Sequence, residues 1–120
     1  MNFVGDVAGF TPLILAASEG ADDVVRALVA AGAALNLADL SAETALIKAC
    51  SEGRAATALI LIEAGAAVNL PSREHKTALD HAKERQGFAQ VRSALRRAGA
   101  RTGAELKAGA VGKGAAEGEL

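Results

Sequence analysis

The sequence predicts an all-α solenoid of three stacked helix-turn-helix units, and three observations support this. Residues 32–37 (Gly-Ala-Ala-Leu-Asn-Leu) recur 33 positions later at 65–70 as Gly-Ala-Ala-Val-Asn-Leu. Threonines and glycines mark the ends of short apolar segments at the same spacing. The 120 residues are 51% hydrophobic but only 2% aromatic, which favours a core of thin, closely packed helices. A fixed period of this length is typical of stacked repeat arrays.

The first helix of each unit is predicted to begin after a threonine. Thr11, Thr44 and Thr77 are each followed by an apolar segment with helical spacing. A threonine hydroxyl at the N-cap accepts a hydrogen bond from a free backbone N–H, and Pro12 suits the first helical position. In the first two units Gly20 and Gly53 are predicted to end this helix, as expected of a residue that tolerates the left-handed conformation.

A second helix follows in each unit, with Val24, Val25 and Leu28 at helical spacing in the first. Alanine is predicted where neighbouring first helices approach each other, at Ala16, Ala49 and Ala82. The glycines predicted to end the second helices are Gly32, Gly65 and Gly99.

The segment beginning at Asp6 (Asp-Val-Ala-Gly-Phe-Thr-Pro-Leu-Ile-Leu-Ala-Ala-Ser-Glu-Gly), together with Val24, Val25, Gly32 and Asn36, resembles the ankyrin repeat. This resemblance covers about four fifths of the chain. It implies an ankyrin-repeat domain at 1–100, with repeats at about 6–38, 39–71 and 72–100 joined by hairpin-like loops.

Two departures from the ankyrin pattern stand out. The histidine that usually follows Thr-Pro-Leu is replaced, so the usual threonine–histidine pairing is not expected. Ala42 and His75 replace the glycine of the hairpin tip, which predicts either a strained backbone or a different turn. The residues in place of the histidine are Ile14, Ile47 and Asp80.

The two ends of the array differ. The third unit carries Lys83, Arg92 and Arg96 where earlier units are apolar, which predicts a polar C-terminal cap. The first unit keeps its apolar positions, so its edge must be covered by Phe3 and Val4, by an upstream repeat, by a second copy or by a partner.

Residues 101–120 are predicted to form a flexible Gly/Ala-rich tail, because they offer little apolar surface. As an alternative for part of this tail, residues 104–108 could add one helical turn on the cap.

Composition predicts a cytoplasmic protein. A single cysteine excludes an internal disulfide framework and suits a reducing compartment. No membrane-spanning run and no secretory signal are visible, so no membrane association is expected. The Ala- and Arg-rich composition suggests a bacterial source.

Catalytic, cofactor and metal sites are not expected. His81 and Glu84 lie one turn apart near His75 and Asp80, but a closed metal site would need further ligands. Residues 109–114 (Gly-Ala-Val-Gly-Lys-Gly) depart from a phosphate-binding loop and are interpreted as a linker. Cys50 is expected to be a small buried hydrophobe.

The resemblance therefore implies a non-enzymatic module that binds a protein partner through a concave face of loop tips and inner helices. Phe10, Glu43 and Lys76, which occupy equivalent positions of the three units, are expected to form one row of that face, with Phe10 and Arg73 its strongest contacts. A monomer without nucleic-acid binding is expected; the alternative is a structural unit that self-associates through its first repeat. The candidate binding residues are Phe10, Ser18, Glu19, Leu40, Ser41, Glu43, Ser51, Glu52, Arg73, Glu74, His75, Lys76, Glu84 and Arg85.

Charge is distributed unevenly along the chain. Residues 1–38 and 39–71 carry net charges of −3 and −2, whereas 72–100 carry +4. This basic end predicts a solvated cap, with docking of an acidic partner as the functional alternative.

Overall fold

The computed structural model describes residues 11–107 and shows six repeat helices there, each close to where the repeat pattern predicts one. The first helix of each unit is short and the second is longer. They are α1 (Pro12–Glu19), α2 (Asp22–Ala30), α3 (Ala45–Ser51), α4 (Ala55–Glu63), α5 (Ala78–Lys83) and α6 (Ala89–Arg97). No strand occurs within residues 11–107, and one isolated antiparallel bridge joins Ala38 to Thr44.

The helices form two layers. In one layer α3 packs between α1 and α5, and in the other α4 packs between α2 and α6. Within each unit the two helices also pack against each other. The all-α solenoid expected from the sequence is therefore confirmed. None of the helices in the described region is long and apolar enough to cross a membrane.

The three threonines cap the first helices as expected. Thr11 Oγ1 accepts a hydrogen bond from the Ile14 N–H at 3.1 Å, and Thr44 Oγ1 from the Ile47 N–H at 3.3 Å. Thr77 forms a complete capping box, because the Asp80 carboxylate also accepts from the Thr77 N–H at 2.8 Å. Asp80 thus serves the cap at the position where the family usually has histidine.

The core runs along the seam between the layers. Ala16, Ala49 and Ala82 are all buried, so the first helices approach one another without intervening large side chains. Leu61 lies at the centre of the array and is fully buried.

Asparagine side chains link the ends of successive second helices. Asn36 Oδ1 accepts a hydrogen bond from the Ala67 N–H at 2.8 Å, and Asn69 Oδ1 accepts from the Arg101 N–H at 2.7 Å. Asn69 also donates from Nδ2 to the Gly99 carbonyl at 3.0 Å. Asparagine thus recurs at the repeat spacing because its side chain hydrogen-bonds the backbone that follows the second helix of the next unit.

At the C-terminal end, basic side chains occupy positions that are buried in the earlier units. Lys83 is exposed where Cys50 is buried, and Arg92 is half-buried where Ala58 is fully buried. The end of the described array is therefore polar on the side where a further unit would stack.

Composition places the end of the domain at residue 100, but described structure continues to Lys107. A helical segment occupies residues 103–107, as in the alternative expectation for this stretch. Thr102 and Glu105 cap it reciprocally, with N···O distances of 2.8 and 3.1 Å. A Cβ on Gly103 would lie 1.6 Å from the His75 carbonyl oxygen, so only glycine permits this approach. Residues 108–120 lie outside the described region.

At the other end, Val24 of the first unit is 50% exposed, whereas Thr57 and Val91 at corresponding positions of α4 and α6 are buried. Phe3 and Val4, one of the alternatives considered for covering this edge, lie outside the described residues.

Truncating the central leucine tests this packing. We expect Leu61→Ala to lower the free energy of unfolding by about 2–5 kcal/mol, because it removes a fully buried side chain. Leu40→Ala, which truncates a leucine that is 66% exposed, should change it by less than about 0.5 kcal/mol. Urea denaturation monitored by circular dichroism measures both. Equal losses for the two variants would contradict the packing described here.

Candidate functional site: the loop-tip face

The tips between units are compact turns held by one side chain each. In the second unit, Asp39 Oδ1 accepts hydrogen bonds from the Ser41 and Glu43 N–H groups at 2.9 and 3.0 Å. In the third unit, Ser72 Oγ accepts from the backbone N–H groups two and four residues later, at 3.2 and 3.4 Å. Asp39 and Ser72 occupy equivalent positions of their units, so different residue types perform the same task.

Each tip also contains a non-glycine residue in the left-handed conformation. Ala42 has φ of 62° and His75 has φ of 64°. The turn thus keeps the shape that glycine would adopt, and the strained backbone is the outcome of the two alternatives considered for these positions.

Adjacent tips are joined by Arg73. The backbone N–H of Arg73 donates to the Ser41 carbonyl at 3.0 Å, and the side-chain Nε donates to the Leu40 carbonyl. Arg73, expected to contact a partner, therefore uses part of its hydrogen-bonding capacity to hold one tip beside the other.

Glu43 lies in a charge cluster inside the second unit. Lys48 Nζ lies 2.8 Å from Glu43 Oε1 and 3.3 Å from Asp39 Oδ2. Burial lowers the pKa of Lys48, but hydrogen bonds to the two carboxylates and their charges outweigh it, so the net pKa is raised. Only 20% of the Glu43 side chain is exposed, so Glu43 chiefly supports the tip.

Arginines from one unit also close the helix ends of the preceding unit. Arg85 donates from Nε to the Cys50 carbonyl at 3.1 Å and from Nη2 to the Ser51 carbonyl. Arg54 donates from Nε to the Ser18 carbonyl at 3.0 Å. A guanidinium at a helix C-terminus satisfies carbonyls that lack intrahelical partners. Arg85, another candidate binding residue, thus has a structural role as well.

We name as the tip face the two described tips, residues 39–43 and 72–76, together with six residues at or directly after the C-terminal ends of the first helices: Ser18, Glu19, Ser51, Glu52, Glu84 and Arg85. Leu40 is its most exposed large apolar side chain, at 66%. Lys76 and Glu84 form an exposed ion pair at 3.9 Å. The remaining exposed candidates are Glu19, Ser41, Glu52, Arg73, Glu74, His75 and Arg85, whereas Ser18 and Ser51 are half-buried.

Of the three residues expected to form one row, Phe10, Glu43 and Lys76, the central Glu43 has little side chain free to contact a partner. Glu43 is occupied by Lys48, while 43% of the Lys76 side chain is exposed. Phe10 lies outside the described residues, so its role stays a prediction.

Sequence reasoning missed three residues that hold the tip face in place, namely Asp39, Ser72 and Arg54. Asp39 and Ser72 differ in type, so comparison by residue identity does not pair them. Arg54 has no arginine at the corresponding position of the first unit, and its bond to Ser18 appears only once the units are stacked.

Residues 11–107 contain no group of three or more histidine, cysteine or acidic side chains arranged to hold a metal ion. Asp80 is committed to the capping box and to the Gly103 N–H, at 2.6 Å. His81 Nε2 is buried and makes no hydrogen bond within the described structure. Residues 109–114 lie outside it.

Cys50 is fully buried. Burial raises the pKa of its thiol to about 12, against the opposing charge of Arg85. The thiol is therefore protonated at neutral pH, which agrees with the small buried hydrophobe expected from the sequence.

Paired helices in two layers, joined by projecting tips, define a helical repeat array. A family model described as ankyrin repeats (three copies) matches residues 13–103. A solved ankyrin repeat domain from Acinetobacter baumannii AYE is 34% identical, with a TM-score of 0.73. That match covers 78% of this chain and 50% of the other, so this chain spans about half the length of that solved chain. Comparison with curated proteins gave no significant match. The chain belongs to the ankyrin repeat family, whose members are generally protein–protein interaction modules.

Replacing the strained alanine tests the tip geometry. We expect Ala42→Gly to raise the free energy of unfolding by about 0.5–1 kcal/mol, because relief of left-handed strain exceeds the entropy cost of glycine. Ala27→Gly is the matched control: Ala27 is exposed inside α2, and there glycine should cost about 1 kcal/mol. Thermal melts followed by circular dichroism measure both. Destabilisation by both substitutions would show that residue 42 is not left-handed in solution.

The Cys50 thiol should react slowly in the folded protein. At pH 8 we expect a disulfide reagent such as DTNB to modify native Cys50 at least about a thousandfold more slowly than the unfolded chain, because burial blocks access and suppresses the thiolate. Equal rates in buffer and in guanidinium would contradict the burial.

The same pKa shift predicts a pH dependence. Because the folded pKa exceeds the unfolded one, the stability contributed by Cys50 is complete below about pH 8.5 and is lost as the pH rises towards 12. Cys50→Ala places at position 50 the residue type found at the equivalent Ala17. In this variant the free energy of unfolding should fall less between about pH 8.5 and pH 12 than in the wild type.

Proposed function

We propose that the chain is a non-enzymatic, monomeric module that binds a protein partner on its tip face, which forms the concave side of the array. The observation that carries this proposal is Leu40, which is 66% exposed at a tip whose other side chains are mostly polar. An apolar centre with a polar rim is the usual arrangement of a protein interface.

Rigidity of the tips supports the same proposal. Asp39 holds the turn that carries Leu40, and Arg73 holds the Leu40 carbonyl from the neighbouring tip. A surface that is already ordered loses less conformational entropy on binding. Exposed acidic side chains at the first-helix ends, Glu19 and Glu52, would add charge complementarity to a basic region of the partner.

A cytoplasmic, bacterial setting forms part of this proposal. The single cysteine, Cys50, is free and buried, which suits a reducing compartment. We expect neither nucleic acid nor membrane to be the ligand of the tip face.

A second candidate function is self-association through the first unit. Val24 is 50% exposed where its counterparts Thr57 and Val91 are buried by stacking. In the second and third units, the position equivalent to Val24 is covered by the preceding unit. A second copy of the chain could cover Val24 in the same way.

Two matched substitutions distinguish the candidates. Leu40→Gln removes the apolar centre of the tip face, and Val24→Gln makes the same kind of change on the edge of the first unit. We expect the wild type and Val24→Gln to capture a partner from a lysate of the source organism. The amount captured by Leu40→Gln should be at least about tenfold lower, as for loss of an interface anchor. Quantitative mass spectrometry measures the capture, and light scattering after size exclusion measures the mass.

The outcomes are separable. A partner that is retained in full by Leu40→Gln would contradict binding on the tip face. An oligomer formed by the wild type and by Leu40→Gln, but not by Val24→Gln, would favour self-association instead.

A further inference from the structure

A groove of about 650 Å³ opens on the C-terminal end of the array, between α5 and α6. Ala89 contributes exposed apolar surface to it and Ser93 a hydroxyl, whereas Leu79, which also borders it, is only 1% exposed. The remaining lining residues are the cations Lys83, Arg92, Arg96 and Arg97, and we call this surface the basic groove. It lies on the end face of the third unit and contains none of the tip-face residues.

Negative charge is scarce near these cations. Glu105 Oε1 lies 3.4 Å from Arg96 Nη1, and about half of each side chain is exposed. Within residues 11–107, Lys83 and Arg97 have no ion pair. The basic groove therefore carries an excess of positive charge that the described structure does not compensate.

Part of this charge is held in place by the backbone. Arg92 Nη1 donates to the carbonyls of Ala82 and Arg85, each at 3.2 Å. A guanidinium fixed in this way loses little entropy when a ligand carboxylate approaches it.

Capping alone does not explain four charges of one sign. A terminal unit needs polar side chains, which glutamate or glutamine would also provide. Arg92 and Arg96 stand four residues apart on α6, where like charges repel. Helix dipoles favour basic residues in the last turn, and α3, α5 and α6 have them there whereas α1, α2 and α4 have none, so the dipole does not by itself require this cluster.

We propose that the basic groove is a second binding site, which takes an acidic peptide segment of another protein. Carboxylates complement the four cations, and small apolar side chains of the peptide fit against Ala89 and the aliphatic parts of the arginine side chains. The groove extends over the third unit alone, so the ligand is a short segment.

The charge pattern favours an acidic peptide over nucleic acid. A long polyanion would continue over the first two units, which carry −3 and −2. Single-stranded nucleic acid would also need exposed aromatic side chains for stacking, and Phe88, the one aromatic residue in 11–107, is buried.

Fluorescence anisotropy tests the proposal with the full chain. The probe is a short fluorescein-labelled peptide rich in glutamate with interspersed alanine and leucine, and its matched control has glutamine in place of every glutamate. We expect saturable binding of the acidic peptide, weakened by added salt, and no binding of the glutamine peptide.

Two double variants with equal change in charge locate the site. Lys83→Gln with Arg97→Gln should weaken binding about tenfold, because two unpaired cations of the groove are removed. Arg26→Gln with Lys107→Gln removes two exposed cations that belong neither to the groove nor to the tip face and should change the affinity less than about twofold. Circular dichroism verifies that both variants remain folded. If the groove variant unfolds, shifts of the α5 and α6 amide signals on titrating the peptide into the isotope-labelled wild type locate the site instead.

Several results would overturn the proposal. These are absence of saturable binding at low salt, equal weakening in both double variants, amide shifts confined to the tip face, and tighter binding of a single-stranded oligonucleotide than of the acidic peptide. The two proposed sites share no residue, so failure of the basic-groove proposal is distinguishable from failure of the tip-face proposal.

Discussion

The first two helix pairs of this protein each leave an apolar face that the next pair covers. Alanines at Ala16, Ala49 and Ala82 let the first helices approach closely, so each unit completes its core with side chains of its neighbours. The remaining features depend on that stacking. The asparagine bonds, the arginines over preceding helix ends and the bonds between tips all reach from one unit to the next.

The same dependence explains the different surfaces of the molecule. The tips lie outside the packed helices, so most of their side chains are not needed to fill the core. Leu40 can therefore be exposed on a rigid turn. The end faces are where stacking stops. There the chain presents an apolar position at Val24 on one side and a cationic groove around Arg92 on the other. The two proposed binding surfaces, at a tip and at an end face, thus correspond to two different features of one architecture.

Much of the tip face followed from position within the repeat, but the roles of individual side chains did not. Glu43 and Arg73 stand at positions that vary between units, which marks them as candidates for binding. Their actual contacts depend on Lys48, beyond the turn in α3, and on Leu40 of a neighbouring tip. Such partners depend on side-chain reach and stacking distance, which a repeat period does not contain.

The sequence by itself determined the number of units, the threonine caps, the family and the polar end of the array, because these depend on local backbone preference and on the fixed period of the repeat. The tertiary structure decided that Ala42 and His75 adopt the left-handed turn despite having side chains, that Arg85 closes a helix end, and that helical structure continues past residue 100. The physical reason is that these outcomes depend on particular contacts, such as those of Asp39 within its turn, of Arg85 with the Cys50 carbonyl and of Gly103 with Asp80. Such contacts form only when the chain has folded, and the repeat period does not encode them.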